Sequence, residues 1–307
     1  MAALREAPQL MPAASRENRL LAWIWMPVVA LLWAICFPFI TIGLPHAPPL
    51  FFAALRALLS GLLLALVAIL QSRRHGLRLR RRDWPALAAI GLTFTAMGFG
   101  GMFLGAGRLS PGLATVLAST QPLLAALMAA AWLDEPLTRC ALLGFTVGFA
   151  GVTLLSLGGT DGGDNGYIAG VAWVLVAAIG TAAGNVLLKR CAQGAVLLPM
   201  AVQLVIGSGL LLLASAIAEE PWSVHWTLGF SGSLLVLSAL ATALMVVLWY
   251  WLLAKMPLGR LNVFSFLTPA FGLAIGYLYF GERLDTGQAA GIAVILLGIV
   301  ILQFEDR

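Results

Sequence analysis

Residues 58–70 read LLSGLLLALVAIL, and residues 291–302 read GIAVILLGIVIL. Neither run alternates apolar with polar side chains, as the strands of an outer-membrane barrel must. Both runs are apolar on every face of a helix, which is typical of segments that cross a lipid bilayer. These two stretches therefore predict an all-α integral membrane protein.

The rest of the chain has the same character. Of its 307 residues, 61% are hydrophobic and 10% are charged, and the mean hydropathy is +0.97. Soluble domains carry about 25% charged residues, so a water-soluble fold is excluded. Polar breaks divide the sequence into ten apolar runs of the length that a membrane-spanning helix needs. The ten predicted spans cover residues 20–42, 49–70, 84–104, 109–133, 138–157, 167–188, 196–218, 228–253, 258–280 and 285–303.

The basic residues predict how these spans are oriented. With a cytoplasmic N-terminus, fifteen of the 18 Lys and Arg residues fall on the inner side, Arg108 and Arg283 on the outer side, and Arg56 within the second span. Inner connections carry the excess of positive charge in membrane proteins. We therefore expect a multi-pass protein of the bacterial inner membrane, with residues 1–19 and 305–307 as cytoplasmic termini. The basic run 73–82 is interpreted as a topology anchor rather than as a nucleic-acid site.

The sequence contains an internal repeat. A shift of 147 residues places Glu135 on Glu282 and Pro122 on Pro269, and also aligns several glycines and leucines without a net gap. The shift predicts two copies of a five-span unit, at residues 20–157 and 167–304, joined by an external linker at 158–166. Because five is odd, the second copy enters the membrane with the opposite orientation.

Inverted repeats of this kind are typical of secondary transporters. Two repeats that exchange their shapes give alternating access to one site near the middle of the membrane. A transporter or facilitator is therefore the function that the repeat favours.

The paired motifs also carry a resemblance to a known family. Glu135-Pro-Leu-Thr with Gly144 and Gly151, and Glu282-Arg-Leu-Asp with Gly291 and Gly298, resemble the two EamA repeats of the drug/metabolite transporter superfamily. Within it, the chain is most similar to the YddG-type exporters of aromatic amino acids. The resemblance implies a basket of ten helices around a central cavity formed chiefly by spans 1, 3, 4, 6, 8 and 9, with spans 5 and 10 at the periphery.

Acidic residues and histidines are absent from the centres of the predicted spans. All 13 acidic residues and all three His lie in predicted termini, connections or span ends. Ion-coupled transporters commonly place such groups within the membrane. We therefore predict facilitated diffusion or exchange without a carboxylate proton relay. No cysteine has the spacing of a metal ligand, and the sequence predicts no cofactor, no bound metal and no catalytic residue.

Polar and aromatic residues within the spans are the candidates for substrate contacts. A small zwitterion needs a few hydrogen-bond partners in a largely apolar cavity, and aromatic rings provide the apolar part. Asn185 is the foremost polar candidate, because an amide in an apolar helix is unfavourable without a partner; packing between helices is the alternative for any single Ser or Thr. The predicted substrate-binding residues are Trp33, Phe37, Phe99, Phe103, Gln121, Asn185, Trp249, Tyr250, Asn262 and Ser265, with Thr115, Ser119 and Thr120 as further polar candidates.

Three prolines and one arginine are candidates for hinges or gates. Pro38, Pro122 and Pro269 each remove a helical hydrogen bond, and the last two occupy equivalent positions in the repeat. Arg56 is the single charge well inside an apolar run. Its alternative interpretation is that the side chain extends to the outer surface, because Arg56 follows the start of its span by less than two turns.

Amino acids and related small metabolites are the predicted substrates. The alternatives are export of cationic drugs or other metabolites, with aromatic rings holding the cation, and a membrane scaffold that transports nothing. An enzyme is excluded, because no set of nucleophile, base and metal ligands converges. The expected partners are the substrate and the lipid bilayer, without nucleic acid, and the internal pseudo-twofold is compatible with a functional monomer.

Overall fold

The computed structural model describes residues 16–72, 81–133, 139–158, 165–191, 197–218, 220–253 and 267–303. Every regular element in these ranges is helical. The α-helices are α1 (Arg16–Ala34), α2 (Cys36–Gly43), α3 (Pro49–Ser72), α4 (Trp84–Ile90), α5 (Gly98–Ala106), α6 (Pro111–Ala118), α7 (Gln121–Leu133), α8 (Arg139–Gly158), α9 (Asn165–Cys191), α10 (Leu197–Ile217), α11 (Leu228–Leu235), α12 (Met245–Leu253), α13 (Leu267–Phe280) and α14 (Thr286–Gln303). Two π-helical segments, Gly91–Met97 and Val236–Leu244, connect α4 to α5 and α11 to α12.

Seven of the described helical stretches are long and apolar enough to cross a membrane. They are Ile24–His46, Pro49–Gln71, Arg81–Ala106, Pro111–Trp132, Asn165–Leu188, Leu197–Ile217 and Leu228–Trp249. Three shorter apolar helices cover Leu142–Leu155, Leu267–Phe280 and Thr286–Ile301. The prediction of an all-helical membrane protein is thus confirmed, whereas the count of ten spans and the five-plus-five repeat stay predictions.

Several of the spans are not continuous α-helices. Ile35 separates α1 from α2, and a turn at Ser119 and Thr120 separates α6 from α7. The second break directly precedes Gln121 and Pro122, and proline cannot donate the hydrogen bond that would continue the helix. Residues 254–266, directly before α13, lie outside the described residues, so the helix before Pro269 cannot be compared with the break before Pro122.

The two most extensive helix contacts join elements that the 147-residue shift relates: α8 packs along α14, and α3 packs along α10. The next two contacts, of α5 with α9 and of α6 with α13, join helices that the shift does not relate. Glycines permit the close approach of α8 and α14: a Cβ on Gly151 would lie 2.5 Å from the backbone nitrogen of Ile295, and one on Gly298 would lie 2.5 Å from that of Gly148. Small residues at helix interfaces are typical of membrane proteins. The pairing leaves the middle of the bundle to the broken helices.

Candidate functional site

A cavity lies in the middle of the bundle, among the broken helices. Its empty volume is about 1090 Å³, a value that includes open solvent at its mouth. Each predicted span except the fifth contributes at least one described residue to its wall. Spans 1, 3, 4, 6, 8 and 9 all take part, as the family resemblance implies, and spans 2, 7 and 10 add Arg56, Met200, Leu204 and Ile299.

The cavity wall is mainly apolar, with a small set of polar side chains. The polar side chains are Cys36, Arg56, Thr115, Ser119, Gln121, Thr181, Thr242 and Thr268. Among the described lining residues there is no Asp, Glu or His, so Arg56 gives the cavity a positive charge. An apolar wall with a few placed polar groups is the usual form of a small-molecule site.

Arg56 points into the bundle rather than out to the membrane surface. Its side chain is 2% exposed, and its guanidinium carbon lies 4.3 Å from the centroid of the Phe99 ring. The Nε and Nη2 groups donate to Oγ1 of Thr242 at 3.4 and 3.2 Å, and Nη2 also approaches Sγ of Cys36 at 3.4 Å. The alternative that Arg56 extends to the outer surface is therefore wrong, because neighbouring helices supply its contacts at the depth of the cavity.

The π-helical segment orients the partner of Arg56. The hydroxyl of Thr242 donates a 2.8 Å hydrogen bond to the carbonyl of Leu237, five residues earlier. Since its one proton is committed to Leu237, the oxygen offers only lone pairs to the guanidinium. π-helical turns are frequent at functional sites because they redirect side chains in this way.

Two polar atoms at the cavity have no partner within the described part of the chain. They are Nη1 of Arg56 and Oγ1 of Thr268. Buried polar groups are nearly always hydrogen-bonded, so each exception calls for a ligand or water. The other two such atoms, in Thr41 and Ser233, belong to residues that do not line the cavity.

The break between α6 and α7 exposes backbone acceptors at the same cavity. Leu123 donates to Thr120 rather than to Ser119, and Pro122 has no N–H for the carbonyl of Ala118. Within the described residues, no backbone N–H donates to the carbonyl of Ser119, and the carbonyl of Ala118 lacks the α-helical donor that residue 122 would supply if it were not proline. Gln121 begins α7 at this break and lines the cavity.

The structure brings together only part of the predicted site. Trp33, Phe37, Phe99, Gln121, Arg56 and Pro122 line the cavity. Trp249 lies behind Trp33, with ring centroids 5.3 Å apart, whereas Phe103 is fully buried against Phe52 and does not reach the cavity. Pro38 and Pro269 are buried outside the lining. The side chain of Tyr250, and Asn262 and Ser265 entirely, lie outside the described residues.

Asn185, the foremost polar candidate, is not a lining residue. It follows Thr181, which does line the cavity, by one helical turn on the same face of α9. The substrate contact predicted for Asn185 therefore stays a prediction. Thr181 was missed because a single Thr in an apolar helix is indistinguishable from a packing residue in the sequence.

Thr242 and Thr268 were also missed, although the repeat carried a signal for both. Thr268 is the 147-residue mate of Gln121, which is a predicted site residue, and Thr242 is the mate of Thr95. Applying the shift to each polar candidate would have added Thr268. Of the further polar candidates, Thr115 and Ser119 line the cavity, and Thr120 is buried without lining it.

Comparison with known proteins identifies the family. The sequence profile of the EamA-like transporter family matches residues 20–157 and again residues 168–304. The chain belongs to the EamA-like transporter family. Members of this family are transporters and not enzymes, so the exclusion of an enzyme is confirmed. The predictions of a membrane protein and of a transport function are confirmed as well, without a substrate.

Curated relatives match this EamA-like chain over almost its whole length. It is 29% identical over 280 residues to an uncharacterized transporter YvbV of Bacillus subtilis, which covers 91% of this chain and 90% of the relative. It is 30% identical over 304 residues to a probable amino-acid metabolite efflux pump of Salmonella typhimurium, covering 95% and 97% of the two chains. A solved structure described as the crystal structure of a protein matches with a TM-score of 0.65 at 20% identity, over 95% of this chain and 98% of that one, which shows a shared fold.

One end of the EamA-like bundle is tied together by carboxylates that cap helices. Glu220 accepts hydrogen bonds from the N–H groups of Leu50 and Phe51 at 3.2 and 3.0 Å, and from the hydroxyl of Ser215 at 2.7 Å. Glu282 accepts from the N–H of Gly112 at 2.8 Å. A negative group at a helix N-terminus accepts hydrogen bonds from the free N–H groups and is attracted to the positive end of the helix dipole. These contacts join the starts of α3 and α6 to distant connections.

Proposed function

We propose that this protein is a transporter, acting as an exporter or facilitator, of amino acids and related small metabolites. Ten spans form two inverted repeats of five, and the central cavity binds the substrate during alternating access. The observation that carries the proposal is the cavity itself, whose mainly apolar wall holds one buried cation and a few polar groups.

Three observations support the inverted repeat. The family profile matches the chain twice in tandem. The two most extensive helix contacts, of α8 with α14 and of α3 with α10, join repeat mates. The π-helical segment Gly91–Met97, moved by 147 residues, falls within the second segment, Val236–Leu244.

The substrate class is supported by one relative and by the cavity. The Salmonella protein, 30% identical over 304 residues, is described as a probable amino-acid metabolite efflux pump. The positive cavity suits a substrate that carries a carboxylate, and the lining rings of Trp33, Phe37, Phe94 and Phe99 suit an apolar or aromatic side chain.

Facilitated diffusion or exchange remains our proposal for the energetics. The described cavity residues include no carboxylate or imidazole that could carry a proton between the two sides. The capped end of the bundle is the outer end in the predicted orientation, with both termini in the cytoplasm of a bacterial cell. In this proposal a monomer contains the whole pathway.

Export of cationic drugs is the second candidate, and the charge of Arg56 counts against it. A cation placed in the cavity would be repelled by the guanidinium, which already covers one face of the Phe99 ring. A scaffold without transport leaves the cavity and its unpartnered groups without a role.

Uptake into liposomes tests the proposal. The purified full chain is reconstituted, and entry of a panel of labelled neutral amino acids is measured with and without a proton gradient, beside protein-free liposomes. We expect saturable entry that is the same with and without the gradient. Uphill accumulation driven by protons would refute facilitated diffusion, and entry of aromatic cations without any amino acid would favour the second candidate.

A further inference from the structure

We infer that Arg56 binds the carboxylate of the substrate, and that the carbonyls of Ala118 and Ser119 bind its ammonium group. This inference rests on the proposed function and deepens it: the site selects molecules with a free carboxylate, and zwitterionic α-amino acids above other carboxylates.

The charge of Arg56 has no counter-ion among the residues that the structure describes. The side chain is 2% exposed, and no acidic residue in the described part of the chain pairs with it. A buried charge is unfavourable unless it is paired and hydrogen-bonded. An anionic ligand in the cavity supplies the missing partner.

The hydrogen-bonding positions of the guanidinium show where such a ligand would bind. Nε and Nη2 donate to Thr242 and Cys36, whereas Nη1 has no partner among the described residues. The Phe99 ring covers one face of the group at 4.3 Å. The N–H groups of Nη1 lie in the plane of the guanidinium, so a carboxylate that accepts from them approaches in that plane, as a charge-assisted hydrogen bond requires.

The broken fourth span presents the opposite polarity to the same cavity. Ala118 is the last residue of α6, so its carbonyl and that of Ser119 lie at the negative end of a helix dipole. No described backbone N–H donates to the Ser119 carbonyl, and Pro122 removes the usual α-helical donor to the Ala118 carbonyl. Discontinuous helices of membrane transporters use such free carbonyls to bind cations. An ammonium group is the cation that accompanies a carboxylate in an amino acid.

Two side chains at the cavity complete the polar set. Gln121 and Thr268 are repeat mates at the two prolines, and Oγ1 of Thr268 is buried without a partner. Amide and hydroxyl groups can donate to a carboxylate or accept from an ammonium group. The remaining wall is apolar, and so it accepts the side chain of the amino acid.

Binding by analogues that each lack one charged group separates the two contacts. The purified full chain in detergent is titrated with phenylalanine, 3-phenylpropanoate, which lacks the ammonium group, and phenylalaninamide, which lacks the carboxylate. The shift in thermal unfolding midpoint is the measurement. We expect the strongest shift with phenylalanine, a weaker one with 3-phenylpropanoate and none with phenylalaninamide. An equal shift with phenylalaninamide, or no shift with any of the three, overturns the inference.

Substitution of Arg56 links the binding to the residue. Arg56→Gln should raise the dissociation constant for phenylalanine about 10- to 100-fold, the usual effect of losing a charged hydrogen bond, and Arg56→Lys should restore part of it. The matched control is Arg108→Gln, which removes an exposed arginine distant from the cavity wall. Unchanged affinity in Arg56→Gln overturns the inference.

A second variant keeps the test decisive if Arg56→Gln does not fold. Pro122→Ala supplies an N–H for the carbonyl of Ala118, so phenylalanine should lose affinity whereas 3-phenylpropanoate should not. The control is Pro27→Ala, which changes a helical proline away from the cavity. Equal effects of Pro122→Ala on both ligands contradict the ammonium contact.

Failure of the inference and failure of the proposed function give different results. Arg56-dependent binding without uptake into liposomes refutes the transport function alone. Uptake that is unchanged in Arg56→Gln refutes the carboxylate contact alone.

Discussion

Thr95 donates a 2.7 Å hydrogen bond to the side-chain oxygen of Gln203, in a contact where both residues are fully buried. Moving each residue by 147 positions, forward for Thr95 and back for Gln203, gives Thr242 and Arg56, which also contact each other. The same pairing of a threonine in a π-helical segment with a long polar side chain thus occurs in both halves. The second pair carries a charge and lines the cavity, whereas the first pair does neither.

Thr95→Val should lower stability without changing substrate affinity. The substitution leaves the buried oxygen of Gln203 without its donor, which costs about 1–2 kcal/mol. The measurement is the thermal unfolding midpoint in detergent, together with KM for uptake. Thr146→Val is the control, because the exposed hydroxyl of Thr146 bonds only within its own helix, to Leu142. Equal midpoints for the two variants would contradict the role of the Thr95 contact.

Gly298→Leu should separate α8 from α14. A Cβ at position 298 would lie 2.5 Å from the backbone nitrogen of Gly148 and 2.7 Å from the carbonyl of Gly144. Because backbone atoms cannot move aside, we expect a loss of about 1–3 kcal/mol, seen as a lower unfolding midpoint.

The control for Gly298→Leu is Gly209→Ala in α10. A Cβ at position 209 meets nothing within 4 Å, and alanine favours a helix over glycine by up to about 1 kcal/mol. Its midpoint should stay the same or rise. A fall as large as that of Gly298→Leu would mean that the close packing at α8 and α14 is not what limits stability.

Glu220→Ala should destabilise the capped end of the bundle. The variant removes the acceptor of two N–H groups at the start of α3 and of the Ser215 hydroxyl. Losing a helix cap costs about 1 kcal/mol, and protease digestion at the capped end should accelerate. Arg283→Ala, which removes an exposed charge at the same end, serves as the control. Identical digestion rates in the two variants would count against the capping role.

Trp33→Ala should weaken the binding of aromatic amino acids more than that of small ones. Trp33 lines the cavity, and its ring packs against that of Trp249 with the ring centroids 5.3 Å apart, so its position is fixed. Aromatic pairs contribute about 0.5–1.5 kcal/mol beyond burial, and KM for phenylalanine should therefore rise roughly two- to tenfold. Trp84→Ala removes a tryptophan that is 49% exposed and distant from the cavity, and it should leave KM unchanged.

The sequence is sufficient to predict apolar helices, because these depend on patterns within the chain. Which helices pack together, such as α8 and α14 at Gly151 and Gly298, is known only from the structure. The depth of Arg56 could not be predicted in this way. Counting from Pro49 suggests a position near the surface, and only the location of Thr242, 186 residues later, explains why the side chain turns inward.

The rotation of each helix limited the prediction of the cavity wall. Asn185 and Thr181 share a face of α9, and the end of the cavity between them depends on how neighbouring helices pack. The two π-helical segments had no signature in the sequence, although Val236–Leu244 determines where Thr242 points. Long-range packing therefore defines which of several reasonable candidates become part of the site.

The buried charge of Arg56 also makes the proposed cycle sensitive to voltage. A potential of 100 mV across a membrane acts on one elementary charge with about 2.3 kcal/mol. Under alternating access, each switch of the cavity between sides moves the guanidinium through part of that field. Voltage then favours the conformation of the empty protein in which the guanidinium faces the electrically negative compartment. A bound zwitterion leaves this bias unchanged, whereas a bound monocarboxylate anion neutralises the moving charge and removes the bias.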